Sequence, residues 1–393
     1  MNGYFDHNAT TPLHPAAREA WIETSERFWH NPSSLYREAG IAKRRLEDAR
    51  ESLADRLGAD DTAERVVFTS GATEGNNAVM RHAAAGGGDA LISAIEHPSV
   101  RDAARREFGP ERTVEIPVTG DGAADLDWLT DALERGPNAA LVSVMAANNE
   151  TGVLQPWREI GALCRARGVP FHCDAAQWIG KMPAADLGGA CDFLTGCAHK
   201  FGGPKGTGFL LAPSRGAENF RAAAGGPQEN RMRAGTEDLP GILALLAALD
   251  DKDDADLAAA AEGRTADRAG FERAVLQALP GAKLVAPDAE RLWNTVMLVM
   301  PPAHSNLKWL TRLSRLGFAV STGSACSAGQ GNPSHTMAAM GLAPEEMSRV
   351  LRVSGGWGTT AADWLALAAA LAEVAAELDS GARLDSAAIP GTS

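Results

Sequence analysis

The sequence predicts an α/β protein built on a mostly parallel sheet that is covered by helices on both faces. Short apolar runs with strand character occur at Val66–Thr69, 90–93, 140–144 and 169–172, and stretches of helical pattern such as Trp157–Arg167 separate them. Alternating strands and helices form parallel sheets, because each crossover helix returns the chain to the same edge. Ligands of such sheets bind beyond the carboxyl ends of the strands.

The length predicts more than one domain. A chain of 393 residues exceeds what one hydrophobic core usually holds. A polar run at 250–254 follows the helical stretch 239–249, and it either links two domains or continues a helix with a solvated face. A smaller α/β unit follows, with strands at Thr295–Val299 and 318–320 and a last helix at 361–378.

The composition argues against several partners and locations. There are 37 Lys and Arg against 50 Asp and Glu, a net charge of −13, whereas nucleic acids and anionic membranes need basic patches. The first residues lack a basic region followed by an apolar core, and no apolar stretch reaches membrane-spanning length, so we expect a cytoplasmic protein. The five cysteines are odd in number and have no CxxC spacing. We therefore expect no disulfide framework and no metal site, and a reducing compartment fits.

Two charged residues follow short apolar segments. Lys200 lies in the glycine-rich run TGCAHKFGGPKG at 195–206, and Asp174 closes the apolar stretch before it. Pyridoxal phosphate chemistry needs an amine for a Schiff base and an acid for the pyridinium nitrogen, so this pair indicates a site for that cofactor. Taken singly, Lys200 would be a surface lysine in a turn and Asp174 an ordinary loop acid.

A third motif contains a thiol. Cys326 lies in the small-residue run STGSACSAG at 321–329 and not on an apolar face. Structural cysteines are usually buried among apolar residues, so Cys326 is a candidate reactive thiol.

With these three motifs the chain resembles the cysteine desulfurases, in the NifS/IscS-like branch of the class V aminotransferases. The resemblance extends from YFDHNATTP at 4–12 to RVSGG at 352–356, and TGSAC at 322–326 is close to the cysteine loop of that branch. It implies a dependence on pyridoxal phosphate, which these enzymes use to convert L-cysteine to L-alanine.

The resemblance also implies a domain plan. The expected architecture is the fold type I of pyridoxal phosphate enzymes, with a large domain at 14–260 that contains a mostly parallel seven-stranded sheet. Residues 1–13 and 261–393 would form the smaller domain, which carries the cysteine loop at about 321–333.

The same resemblance assigns the residues around the cofactor. Ala72 and Thr73, in the run SGATEGNN at 70–77, are expected to form the phosphate cup. Thr73, followed by Glu74, could equally cap a helix. His97 is expected to stack on the pyridine ring and to help move protons. The remaining cofactor positions are Asn149, Asp174, Gln177, Cys197, His199, Lys200 and Thr236.

Other positions concern the substrate and the partner subunit. Arg352 matches the arginine that receives the substrate carboxylate, since its planar fork binds both oxygens. Asn31 and Asn149 are expected to support the substrate, although Asn149 could also be a simple turn residue. Thr236 is expected to reach the phosphate of the neighbouring subunit, which implies a homodimer with shared sites.

Two positions depart from the family pattern. Relatives carry serine where this chain has Cys197, so a hydroxyl donor to the phosphate has become a weakly donating thiol. Relatives often carry arginine where this chain has Trp357, which removes a positive charge that we expect near the site.

The expected reaction passes sulfur from L-cysteine to Cys326 as a persulfide, and from there to an acceptor protein or thiol, as in iron–sulfur cluster assembly. In this expectation Lys200, Cys326 and His97 are the catalytic residues. Selenocysteine lyase activity, another cofactor-dependent C–S lyase or aminotransferase, and a silent scaffold that binds sulfur acceptors remain alternatives, and the cysteine loop favours desulfuration over the second.

Overall fold

A seven-stranded sheet forms the centre of the molecule. The computed structural model describes residues 2–59, 66–136, 138–213, 219–250, 253–323 and 334–380. The strands of the large sheet are β2 (Val66–Thr69), β3 (Asp89–Ser93), β4 (Thr113–Ile116), β5 (Ala139–Ser143), β6 (Phe171–Asp174), β7 (Phe193–Cys197) and β8 (Gly208–Leu211). Their spatial order is β2-β8-β7-β6-β5-β3-β4, and only β8 runs against its neighbours. The predicted α/β fold with a mostly parallel seven-stranded sheet is confirmed.

Helices cover both faces of this sheet. The strands β2, β6, β7 and β8 are buried along their whole length, as expected for a sheet with two covered faces. The helices up to the end of the large sheet are α1 (Pro15–Arg27), α2 (Arg37–Arg56), α3 (Ala72–Ala85), α4 (Pro98–Phe108), α5 (Leu126–Arg135), α6 (Trp157–Arg167) and α7 (Leu187–Ala190). α8 (Leu239–Ala247) packs against α1 and α2.

The carboxyl-terminal part builds smaller sheets around a separate core. β9 (Lys283–Leu284), β10 (Thr295–Val299) and β12 (Val350–Ser354) form an antiparallel sheet in the order β12-β10-β9. β1 (Gly3–Tyr4) pairs with β11 (Phe318–Ala319). The helices of this part are α9 (Asp254–Ala278), α10 (Asn306–Arg315), α11 (His335–Ala339), α12 (Pro344–Met347) and α13 (Ala361–Ser380).

We propose the same domain division that the sequence suggests, 14–260 and 1–13 with 261–393. Two observations support it, because the strands of the large sheet all come from the first range and those of the smaller sheets from the second. The boundary falls inside α9, so this helix joins the two parts without a loop.

A buried ion pair fixes the segment that leads to Thr236. Arg50 of α2 donates to Glu229 with N–O distances of 2.7 and 3.1 Å, and Glu229 also accepts from the backbone N–H of Phe68 at 2.8 Å. Glu229, Asn230 and Arg231 all have positive φ, at 48°, 53° and 67°. Consecutive left-handed residues other than glycine are uncommon, so the ion pair and its neighbours must hold this turn.

Replacing Glu229 should therefore destabilise the fold strongly. In Glu229→Ala the Arg50 charge stays buried without its main partner, and we expect a loss of roughly 3–5 kcal/mol in the free energy of unfolding, measured with urea. The matched control is Glu47→Ala, because Glu47 contacts the same Arg50 at 3.1 Å but its side chain is 47% exposed. This control should lose less than about 1 kcal/mol, and equal losses in the two variants would contradict the argument.

Candidate functional site

A cavity of about 480 Å³ lies at the carboxyl edge of the large sheet. The strands β2, β3, β6 and β7 all end beside it, as the rule for ligand sites in parallel sheets predicts, and β12 of the smaller sheet borders it. The predicted site residues that line it are Ala72, Thr73, His97, Asn149, Asp174, Gln177, Cys197, His199, Lys200 and Arg352.

The first turn of α3 forms one wall of the cavity. Its N-cap is Gly71, and no side chain caps the helix, so the alternative of Thr73 as a capping residue is wrong and Thr73 lines the cavity instead. The Cys197 thiol accepts a hydrogen bond from the backbone N–H of Ala72. A Cβ atom at Gly208 would lie 2.5 Å from Gly71 Cα, so β8 can pass this turn only with glycine. Backbone N–H groups at a helix start favour an anion.

Lys200 and Asp174 enter the cavity from neighbouring strands. Asp174 ends β6, is buried, and accepts hydrogen bonds from Asn76 Nδ2 at 2.8 Å and from the Ala176 N–H at 2.9 Å. Lys200 ends the short 3-10 turn Ala198–Lys200 that follows β7. An amine and a carboxylate therefore meet in one cavity, as the sequence predicts.

The Lys200 amine contacts the amino-terminal segment. Its Nζ donates to the carbonyl oxygens of Asn8 at 2.5 Å and Ala9 at 2.9 Å. The Thr11 hydroxyl donates in turn to the Lys200 carbonyl at 3.0 Å. The residues Asn8 and Ala9 also line the cavity, and they belong to the run at 4–12 that carried the family resemblance.

A buried lysine lies directly behind the cavity. Lys181 Nζ donates to Gln177 Oε1 at 2.6 Å and to Asn8 Oδ1 at 3.0 Å, and Gln177 Nε2 donates to the Asn8 carbonyl at 3.0 Å. Burial, together with the nearby Lys200, lowers the pKa of Lys181 well below its ordinary value. The sequence analysis missed Lys181, and its position four residues after Gln177 was the only available signal.

His97 is held as the N-cap of α4. Its Nδ1 accepts from the Ser99 backbone N–H at 3.1 Å and lies 2.8 Å from Ser99 Oγ. Burial lowers the pKa of His97, against the opposing effect of Asp174. The ring is therefore neutral near pH 7.

His199 is neutral as well. Burial and the neighbouring Lys200 and Lys205 lower its pKa to about 4, and its Nδ1 lies 3.2 Å from Thr10 Oγ1. A neutral imidazole binds an anion through one N–H, while the positive charge of this wall comes from the two lysines.

Arg352 of β12 reaches the cavity from the smaller sheet. Its Nη2 pairs with Asp6 Oδ1 at 2.6 Å and its Nη1 donates to the Asn149 carbonyl at 3.1 Å. The side chain is 2% exposed, and its Nε has no hydrogen-bond partner among the described residues. A buried donor of this kind fits an anionic ligand.

Two predicted residues in the described part of the chain do not line the cavity. Asn31 is exposed in the turn before α2, where its Oδ1 accepts from the Ser33 N–H at 2.9 Å. Thr236 is also exposed on this chain. Cys326 and most of the predicted loop at 321–333 lie outside the described residues.

Trp357 lies behind the cavity and not in it. Its indole N–H donates to the Gly180 carbonyl at 2.9 Å, and its ring packs on Trp293 with centroids 4.8 Å apart. The guanidinium of Arg264 lies 4.6 Å from the same ring. The expectation that Trp357 removes a positive charge near the site stays a prediction.

Two other kinds of functional feature are absent from the described ranges of the chain. None of the helices there has the length and apolar character needed to cross a membrane. In the same ranges, no cluster of three or more His, Cys, Asp or Glu side chains is suited to hold a metal ion.

The chain matches a known family over most of its length. The model of the family Aminotransferase class-V matches residues 3–367. A cysteine desulfurase of Trichormus azollae is 37% identical over 344 residues, which cover 86% of this chain and 84% of that protein.

Solved structures share the fold. A NifS-like protein from Rickettsia africae superposes with a TM-score of 0.82 at 31% identity, over 95% of this chain and 99% of that one. A structure of SspA in complex with cysteine has a TM-score of 0.76 at 28% identity, over 90% and 98% of the two chains. The family resemblance read from the sequence is confirmed. The chain belongs to the class-V aminotransferase family and, within it, to the cysteine desulfurases, which depend on pyridoxal phosphate.

Proposed function

We propose that this chain binds pyridoxal phosphate in the cavity and uses it to convert L-cysteine to L-alanine. The observation that carries the proposal is the meeting of Lys200, Asp174 and the start of α3 in one cavity. The residues fit the group, because a helix start suits its phosphate, Asp174 suits its ring nitrogen and the Lys200 amine suits its aldehyde. When bound, the cofactor supplies an electron sink for the carbanion at the substrate α-carbon.

The side chains around this position divide the remaining tasks. Thr73, Cys197 and His199 would hold the phosphate, and His97 and Gln177 would face the ring. Lys200 would hold the cofactor and then move the substrate α-proton at its Nζ. Arg352, with its buried Nε, would receive the substrate carboxylate beside Asn149. The structure of SspA with cysteine supports L-cysteine as the substrate.

The sulfur step needs a thiolate. Cys326 would attack the substrate sulfur, so that the C–S bond of cysteine breaks, an S–S bond forms on the enzyme and the three-carbon product leaves as alanine. The products are alanine and a Cys326 persulfide, which an acceptor protein or thiol then consumes. The cytoplasm stays our proposed location, which the four free cysteines of the described residues support.

We also propose a homodimer. An apolar surface, here called the 29–36 patch, includes Trp29 at 68% exposure, Leu35 at 102% and Tyr36 at 49%, and the Trp29 and His30 rings stack with centroids 4.1 Å apart. Monomers rarely leave large apolar side chains together in water. Asn31 lies inside this patch, so a second copy seated there would bring Asn31 into the shared interface.

The activity depends, in this proposal, on Cys326. With cofactor and reductant present, the wild type should form alanine from L-cysteine, and Cys326→Ala should fall below about 1% of that rate, because it lacks the nucleophile of the covalent step. Alanine is measured directly. The control is Ser327→Ala, which changes the neighbouring residue but keeps the Cys326 thiol, and this variant should stay active. The absence of alanine from the wild type would refute the activity, and full activity of Cys326→Ala would refute the persulfide.

The thiol in the phosphate wall should weaken cofactor binding. Burial raises the pKa of Cys197 to about 11, so it remains a neutral and weak donor. We expect Cys197→Ser to lower the Kd for pyridoxal phosphate about tenfold, since a hydroxyl bond to a charged group contributes roughly 1.5–3 kcal/mol. Titration of the apo-protein followed by absorbance measures this. Cys191→Ser, at a buried cysteine outside the cavity, should leave the Kd unchanged, and a weaker affinity in Cys197→Ser would contradict the assignment.

A charge in the 29–36 patch should separate the dimer. Leu35→Asp places a carboxylate in the proposed interface, where burial is costly. Light scattering during size exclusion should then give the mass of one chain, against two for the wild type. Leu307→Asp charges another exposed leucine, 58% exposed on α10, and should keep the dimer. A wild-type protein with the mass of one chain would overturn the proposal of a homodimer.

A further inference from the structure

Buried polar side chains behind the cavity form one hydrogen-bond network. Ser143 Oγ lies 2.8 Å from His172 Nδ1, His172 Nε2 lies 3.2 Å from Thr195 Oγ1, and Thr195 Oγ1 lies 2.6 Å from Asn76 Oδ1. The four residues come from β5, β6, β7 and α3, and all are 0% exposed. None of the four lines the cavity.

At Asn76 this hydrogen-bond network divides into two branches that both reach the cavity, the first at Asp174 and the second at His97. Its Nδ2 donates to Asp174 Oδ2 at 2.8 Å and to Ser99 Oγ at 2.8 Å. Ser99 Oγ lies 2.8 Å from His97 Nδ1. One amide therefore contacts the proposed partner of the ring nitrogen directly and the proposed ring-stacking histidine through one hydroxyl.

The direction of each bond in the first branch follows from the chemistry of its groups. The Asp174 carboxylate accepts, so the amide nitrogen of Asn76 faces it and the amide oxygen faces Thr195. The Thr195 hydroxyl has one hydrogen, which it gives to Asn76, so its oxygen accepts from His172 Nε2–H. Burial lowers the pKa of His172 to about 4, which leaves one ring proton, and His172 Nδ1 accepts from Ser143.

The second branch is determined in the same way. Ser99 Oγ accepts from Asn76, so its own hydrogen points to His97 Nδ1. That nitrogen also accepts from the Ser99 backbone N–H at 3.1 Å. His97 Nδ1 therefore carries no proton, and the one proton of the neutral ring is on Nε2.

We propose that Asn76 and Thr195 are positioning residues, which fix the carboxylate of Asp174 and the Nε2–H tautomer of His97, so that His97 exchanges protons through Nε2 alone. Asn76 contacts the Asp174 carboxylate directly and His97 through the Ser99 hydroxyl. The Thr195 hydroxyl donates to the Asn76 amide oxygen and so supports the orientation in which the amide nitrogen faces Asp174. A reversed amide would direct its oxygen at the Asp174 carboxylate, where two acceptors repel. The inference deepens the proposed function and rests on it for the roles of Asp174 and His97.

A pair of substitutions at Thr195 tests the donor and acceptor directions in this hydrogen-bond network. Thr195→Val keeps the branched shape and removes the hydroxyl, and Thr195→Ser keeps the hydroxyl. Groups that orient a functional ligand from outside contribute roughly 10- to 100-fold at metal sites, so we expect kcat for alanine formation to fall about tenfold in Thr195→Val. Thr195→Ser should stay within about twofold of the wild type, and KM should change little in either, because Thr195 does not touch the cavity.

Nitrogen NMR of ¹⁵N-histidine-labelled apo-protein determines the tautomer of His97 without an activity assay. The His97 signals are assigned by their loss in His97→Gln. We expect a protonated Nε2 and an unprotonated Nδ1 in the wild type, and shifted ring signals in Thr195→Val although Thr195 does not contact His97. Ser99→Ala removes only the bridging hydroxyl and should shift the same signals. Arg81→Ala, at an exposed position of α3, should leave them unchanged.

The outcomes separate the inference from the proposed function. A wild type with the proton on Nδ1 overturns the inference, and so does a Thr195→Val variant whose His97 signals match those of the wild type, whatever its kcat. If Thr195→Val fails to fold, Ser99→Ala decides by the same signals. A wild type that forms no alanine refutes the proposed function, while the NMR result still decides the positioning role.

Discussion

The hydrogen bonds of Asn8 connect the Lys200 amine, beside the large sheet, with the three-stranded sheet. Its side chain donates to the Asn149 carbonyl at 3.2 Å and to Thr295 Oγ1 at 2.9 Å, and its Oδ1 accepts from Lys181 and Asn294. Its carbonyl receives Lys200. Asn8 is 1% exposed. Leaving one of its polar groups without a hydrogen-bond partner would therefore cost about 1–3 kcal/mol in the free energy of unfolding. The position of the amine relative to the smaller sheet therefore depends on one residue near the amino terminus.

Cations from three parts of the chain lie close to the amino-terminal segment beside the cavity. Lys181, Lys200 and Arg352 converge on the amino-terminal segment, and Asp6 pairs with Arg352 alone. Burial of cations is costly, and one response is a lowered pKa, as at Lys181. The other response is an anionic ligand. A phosphate at the start of α3 would lie beside a helix start that favours anions, and a substrate carboxylate at Arg352 would accept from its buried Nε.

The sequence predicts the residues that end strands better than those that meet across the fold. The strand at Val66–Thr69 and the helix at Trp157–Arg167 match the structure in full. Asp174 and Lys200 could be predicted because both follow strands of one parallel sheet, and such ends share an edge. Asn8 could not, since its contact with Lys200 spans 192 residues. The role of Asn76 could not be predicted for a similar reason, because its partners Asp174 and Thr195 lie 98 and 119 residues away in the sequence.

None of the cysteines that the structure describes is suited to the sulfur step that we propose for Cys326. A reactive thiol needs both access and a depressed pKa, and Cys164, Cys173, Cys191 and Cys197 are all buried. Burial raises the pKa of Cys164 to about 12 and that of Cys197 to about 11, and it raises the pKa of Cys173 well above its ordinary value. Cys197 faces the cavity and is the nearest rival, yet its neutral form makes it a poor nucleophile. Burial thus lets this chain carry the Cys197 thiol in the cavity wall without diverting sulfur from the proposed step at Cys326.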